Sequence, residues 1–161
     1  PVIAAIHGNA LGGGLEIACM CDLRISGPSG RFGVPITRLG FAIAYDELAA
    51  VLPLTGRAVA LEILVEGRMW DAAEALRKGL LTRVVPDAEL DQDAYSTARR
   101  IADGAPLVNR WHKRFVRRLA PRPAPLTEPE IAENFAYFAT EDYRIGMEAF
   151  ANKQKPRFKG R

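Results

Sequence analysis

The chain has 161 residues, 48% of them hydrophobic and 25% charged, with a formal net charge of +3, the composition of a globular domain long enough to bury a core. No apolar run approaches the roughly 20 residues of a membrane helix, and Pro1-Val2-Ile3 lacks the charged start of a signal peptide, so a cytoplasmic protein with no membrane partner is expected. Two cysteines and two histidines are too few for a disulfide framework or a zinc site, which leaves Cys19 and Cys21 as reduced thiols.

Taken in order, Val2 to Ile6 reads as a short buried strand and Gly13 to Met20 as a helix. Asp22 to Ser26 is a second strand, ended by the turn Gly27-Pro28-Ser29-Gly30, and Arg31 to Val34 is an extended piece before Pro35. Tyr45 to Leu52 and Gly56 to Val65 pattern as helices, the first with Asp46 and Glu47 in its opening turn, where acids suit the helix dipole. Asp71 to Lys78 is a helix stopped by Gly79, and Leu81 to Val85 is a strand. From Asp87 onward only helices are expected. The stretch Pro106 to Leu119 stripes Leu107, Trp111, Phe115 and Leu119 against Arg110, Lys113, Arg114, Arg117 and Arg118. The prolines at 121, 123 and 125 interrupt. Thr127 to Glu130 then reads as a capping box in which Thr127 accepts from the backbone, followed by a helix bearing Ile131, Phe135 and Phe138 and a last one from Glu141 to Asn152.

The run from His7 through Gly12-Gly13-Gly14 to Glu16 carries the chemistry. A strand breaks at a glycine turn and restarts as a helix, which leaves backbone N–H groups aimed where an oxyanion can sit. It has neither the Gly-Lys-Ser/Thr of a P-loop nor the G-x-G-x-x-G spacing, so phosphate cradling is the weaker reading; close helix and strand packing is the structural alternative for the glycines. His7 reads as a local hydrogen-bonding residue, and Trp70 and Trp111 as packing residues. The cations of the Arg110 to Arg118 row and of the tail are separated from the aromatics, which argues against a nucleic-acid partner. Pro1 in the place of an initiator Met reads as the start of a fragment.

Several pieces in this order resemble the enoyl-CoA hydratase/isomerase (crotonase) superfamily: Pro1 to Gly8, Ala10-Leu11-Gly12-Gly13-Gly14-Leu15-Glu16, Cys21-Asp22-Leu23-Arg24, Phe32-Gly33 to Pro35, Leu39-Gly40, Gly79 to Val85, and Ala149-Phe150 with the tail Lys155 to Arg161. The resemblance implies an α/β fold: residues 1–104 forming the C-terminal part of a spiral of ββα units, and residues 105–161 an all-helical trimerisation and CoA-contacting region. It further implies an acyl-CoA thioester as substrate, no cofactor beyond the CoA that the substrate carries, no metal, and a trimer or dimer of trimers. By motif position, Gly13 N–H is an oxyanion donor and Glu16 a catalytic acid/base. Ala10, Leu11 and Gly12 line the substrate, and Phe150 and Lys153 reach CoA. The family's second glutamate falls on Ile36, and the acid of many isomerases on Ala44. Tyr45, Asp46 and Glu47 lie near enough in sequence to substitute, though first-turn helix charges are the expected role of the two acids. An acyl-CoA-binding subunit without turnover is the alternative.

Overall fold

The computed structural model describes residues 1–120, 125, 127–133 and 135–161. The expected proline-rich connection therefore lies largely outside the described residues. The chain opens with β1 (Ile3–Ile6), β2 (Asn9–Leu11) and α1 (Gly13–Met20), then β3 (Leu23–Ser26), β4 (Arg31–Gly33) and a 3-10 turn over Pro35–Leu39. There follow α2 (Tyr45–Leu61) with a π turn over Glu62–Glu66, β5 (Trp70–Asp71), α3 (Ala72–Arg77) and β6 (Arg83–Val84). The last part holds α4 (Leu90–Ala102), α5 (Pro106–Leu119), α6 (Glu128–Glu133), a 3-10 turn over Ala136–Ala139 and α7 (Glu141–Ala151).

The strands form two small sheets, one parallel in the order β1-β3-β6, the other with β2 parallel to β4 and β5 antiparallel to β4. Ile3 lies beside Leu23 and Asn9 beside Arg31, so one passage through both sheets and α1 brings the chain back next to where it began. Between the layers sit Leu15, Phe32, Val34, Ile63, Trp70 and Leu80, all fully buried. Leu15 is the residue that matters for the site, since its burial fixes the rotation of α1 and hence the direction of its neighbours.

Several expectations are corrected. The glycine loop contains a strand, β2, and Trp70–Asp71 forms another; strands of two or three residues carry too little alternation to be read. The 81–85 strand shrinks to Arg83–Val84. The two helices read at 45–52 and 56–65 are one helix broken at Gly56, whose φ of 75° and ψ of 168° leave the helical region. Together with the π turn this makes Tyr45–Glu66 a helix of 22 residues containing an 18-residue stretch of mean hydropathy 1.8, long and apolar enough by length and composition to cross a membrane, contrary to the expectation that no run approaches that length. Gly56 interrupts it, and Val51, Ala60 and Ile63 are buried in the protein core. The helix expected to carry Ile131, Phe135 and Phe138 ends at Glu133, and a 3-10 turn follows. That turn stacks Tyr137 and Phe138 (4.5 Å between centroids) against Tyr143 of α7 and Phe41, an aromatic cluster that a continued α-helix would spread around its circumference. At Thr127 the capping is one-sided: Glu130 accepts the Thr127 N–H at 2.8 Å, but the Thr127 hydroxyl donates to the same carboxylate instead of accepting from the backbone.

Helix α5 is tied down at few points. Asn109 donates to Ile101 O at 2.8 Å and Lys113 meets Asp22 at 2.5 Å, while Leu107, Trp111, Phe115 and Leu119 remain exposed, Leu119 to 83%. Burial pushes the Asp22 carboxyl up, but the Lys113 ammonium and the Val2 N–H outweigh it and hold the group below its ordinary value near 3.8. A lowered folded pKa means stability present above that ordinary value and lost as pH falls through the folded one. Hydrogen exchange should therefore show α5 losing protection below about pH 4, and Asp22→Asn should produce the same loss at neutral pH, at a cost of roughly 1 kcal/mol. Protection of α5 that is indifferent to both changes would rule the pair out as its anchor.

Candidate active site

The glycine turn is built from β2 outward. Ala10 is buried and Leu11 half-buried beside Phe32 and Gly33 of β4, and the Gly12 N–H donates to Gly33 O at 2.9 Å, which clamps the turn onto the sheet. Gly12 has φ 50° and ψ −124°, a conformation that costs a side chain dearly, and its carbonyl accepts from Leu15 N at 2.9 Å and Glu16 N at 3.1 Å to start α1. The amides of Gly13 and Gly14, both exposed, donate to no acceptor among the described residues. They are first-turn donors with the positive end of the helix behind them.

The packing alternative for these glycines fails. A Cβ added at Gly12 or Gly14 would have no heavy atom within 4 Å, and one at Gly13 would meet only Glu16 Oε2, at 3.9 Å. The space beside the turn is open, and the carboxylate of Glu16 is the group that stands over it.

Glu16 follows the buried Leu15 and is itself half-buried. Burial, and secondarily the negative charge of Glu47, push its carboxyl above the ordinary value near 4.5. Glu47 lies in the first turn of α2, which packs against α1, and its Oε2 accepts the Ala44 N–H at 2.9 Å. Read locally, Glu47 is a first-turn helix charge and, with Tyr45 and Asp46, a candidate substitute acid, but neither its cap of the Ala44 N–H nor which of the three acts on Glu16 has a local signal.

The remaining candidates lie elsewhere. Phe150, 66% exposed, lines a surface cavity of about 770 Å³ with Thr37, Arg38 and Leu39, and the Lys153 N–H donates to Phe150 O at 3.1 Å. Phe150 sits where α7 packs on the Pro35–Leu39 turn and Lys153 just past the end of that helix, neither at the glycine turn. Ile36 packs on the core and walls a cavity of about 510 Å³ with Phe41, Ile43 and Leu64, so the position offers no proton-carrying group. Of the basic tail, Lys159 and Arg161 are taken up by Glu141. His7 pairs with Asp91 at 2.9 Å, a partner 84 residues away and not the local one expected. Trp70 is buried packing, as read, with the Lys78 ammonium 5.0 Å from its ring. Burial pushes the Cys19 thiol up to about 11, so it is no nucleophile. Among the described residues no three or more His, Cys, Asp or Glu gather as metal ligands.

A carboxylate beside unpaired amides is an arrangement that suits reactions in which charge appears on a carbonyl oxygen while a proton moves nearby. Known proteins point the same way. The sequence pattern of the enoyl-CoA hydratase/isomerase family matches residues 1–161. A probable enoyl-CoA hydratase of Mycobacterium bovis is 38% identical over 166 residues, covering 98% of this chain and 62% of that protein. The crystal structure of an enoyl-CoA hydratase/carnithine racemase from Magnetospirillum magneticum shares 52% identity at a TM-score of 0.74, over 100% of this chain and 60% of that one. Methylmalonyl CoA decarboxylase complexed with 2S-carboxypropyl CoA matches at a TM-score of 0.93 and 27% identity, over 100% of this chain and 63% of that one. The chain thus spans about three-fifths of the length of the relatives it matches.

Proposed function

Since this chain belongs to the enoyl-CoA hydratase/isomerase family, we propose that it supplies the proton-transfer side of an active site for an enoyl-CoA thioester, performing hydration or double-bond isomerisation. One observation carries the reading: the unpaired Gly13 amide lies beside open space, with the half-buried Glu16 carboxylate standing over it. As an enolate forms, negative charge collects on the thioester oxygen, and the Gly13 N–H meets that charge without having to give up a partner. Losing one such donor typically costs about 3 kcal/mol of barrier. Glu16, with its raised pKa, keeps a proton nearer to neutrality than a solvated carboxyl would and passes it to or takes it from the acyl carbons.

In this reading Ala10, Leu11 and Gly12 form the edge along which the acyl group lies, and Phe150 and Lys153 hold CoA for a neighbouring subunit. Residues 105–161 would form the contacts of a trimer or dimer of trimers, and residues 1–104 part of the ββα spiral, in a cytoplasmic enzyme needing no cofactor beyond the CoA of its substrate. The uncovered apolar surface supports assembly: α1 exposes Ile17 to 68% and Met20 to 73%, and α5 its whole apolar stripe. The relatives found are named as enzymes, which does not favour a subunit that binds acyl-CoA without turnover. The test is the protein that contains this chain, incubated with a short 2-enoyl-CoA: loss of the conjugated enoyl absorbance, with formation of the hydroxyacyl or shifted enoyl product, is expected. Tight binding of the thioester with no change in it would favour the non-catalytic alternative.

A further inference from the structure

We propose that Glu47 is the second carboxylate of the Glu16 site and takes the proton of the attacking water, a role that Ile36 and Ala44 cannot fill. The inference rests on the enoyl-CoA reading above and adds a residue to it. Three observations converge. First, α1 and α2 pack against each other, with Glu16 in the first turns of α1 and Glu47 in the first turn of α2, so both acids lie near the starts of two touching helices. Second, Glu47 is held in place: one carboxylate oxygen accepts the Ala44 N–H at 2.9 Å, and the other has no partner among the described residues. A carboxylate fixed by one oxygen and free at the other can orient a water without first being ordered. Third, after burial it is the negative charge of Glu47 that pushes the Glu16 carboxyl up.

Two carboxylates in unlike surroundings, one half-buried and one exposed, can divide acid and base work. Glu16, pushed up by burial and by Glu47, is the proton donor; Glu47 is the acceptor. In hydration the water oxygen bonds to C3 while one of its protons passes to the Glu47 carboxylate. The π electrons of C2=C3 shift toward the thioester, whose oxygen carries the charge at the Gly13 amide. Collapse of that enolate then takes the proton of Glu16 onto C2. One water has been added; the proton on Glu47 returns through solvent to Glu16.

The test uses the protein containing this chain and two readouts: hydration of crotonyl-CoA, and solvent deuterium exchange at C2 of butyryl-CoA, which needs only the Glu16 carboxylate. Gln at 47 retains an oxygen that can accept the Ala44 N–H, so Glu47→Gln spares the helix start. It should lower kcat for hydration by about 10²-fold with KM within twofold, preserve C2 exchange within about threefold, and move the acid limb of the exchange profile to lower pH, as Glu16 is relieved of a negative neighbour. Wild-type hydration rates in Glu47→Gln would overturn the proposal, leaving Glu47 as a cap only. Equal loss of hydration and exchange would also overturn it, since Glu47 would then serve Glu16 and not the water. A wild-type protein that shows neither reaction would sink the enoyl-CoA reading itself, a result distinct from either.

Discussion

Replacing Glu16 by Gln is expected to abolish most of the activity while making the protein harder to melt at neutral pH. The activity side follows from the loss of the proposed proton-transfer group, typically worth 10²- to 10⁴-fold, with KM little changed because the amide keeps the volume and the unpaired Gly13 amide remains. The stability side follows from the sign of the shift. Burial first, then the charge of Glu47, hold the folded pKa of Glu16 above its ordinary value near 4.5. A raised carboxyl contributes its full share of stability below that ordinary value and loses it as pH rises through the folded value, because ionisation is easier in the unfolded chain. Gln does not ionise, so the variant should melt higher than wild type at pH 7, and the two should converge as pH falls below about 4. Thermal melts at the two pH values, set beside hydration rates, separate this from a packing role, which would lower the melting temperature at both. Equal activity of the two proteins would remove Glu16 from the reaction.

The part of this site that the sequence could express is the part made within one short segment. Gly12 to Gly14 followed by an apolar Leu15 and an acid at 16 define a turn, a helix start and a carboxylate direction, and the helix read at Gly13 to Met20 forms with those bounds. Pro106 to Leu119 is equally legible, since Pro opens it and the apolar residues recur at helical spacing over fourteen residues. What escaped is made by tertiary contact. β2 and β5 exist because β4 lies between them, not because three or two residues favour extension. His7 meets Asp91 across the fold, and among the candidates Tyr45, Asp46 and Glu47 it is the packing of α2 on α1 that singles out Glu47 as the charge felt by Glu16. Motif spacing assigns the second carboxylate to position 36, where Ile36 instead packs on the core, and in the proposed arrangement the packing of α2 on α1 brings a carboxylate from eleven residues further on.

Gly146→Ala should detach α7 from the 3-10 turn Pro35–Leu39 and, if Phe150 and Lys153 hold CoA, raise KM far more than it lowers kcat. A Cβ at 146 would lie 2.1 Å from Leu39 O and 2.3 Å from Leu39 C, and the approach is mutual, since a Cβ at Gly40 would lie 2.4 Å from Asp142 O. Backbone is touching backbone, and neither side has a flexible side chain to move. Gly40 sits in the left-handed region at φ 76°, closing the turn through its N–H to Ile36 O, so the turn cannot retreat without giving up its own terminus. Overpacking of this kind costs about 1–3 kcal/mol when side chains can yield, and with none available the upper end is expected. Phe150 lies one helical turn beyond Gly146 on the same side, which is why it reaches Thr37, Arg38 and Leu39. Displacing α7 therefore displaces Phe150 and Lys153 while leaving Glu16 and the glycine turn, built from β2, β4 and α1, in place. Limited proteolysis after Glu141 and hydrogen exchange along α7 would report the detachment. The exposed neighbour Met147→Ala serves as the control and should change neither. A Gly146→Ala protein with α7 fully protected would show that the turn can yield after all, and one with α7 released but KM unchanged would take Phe150 and Lys153 out of thioester binding.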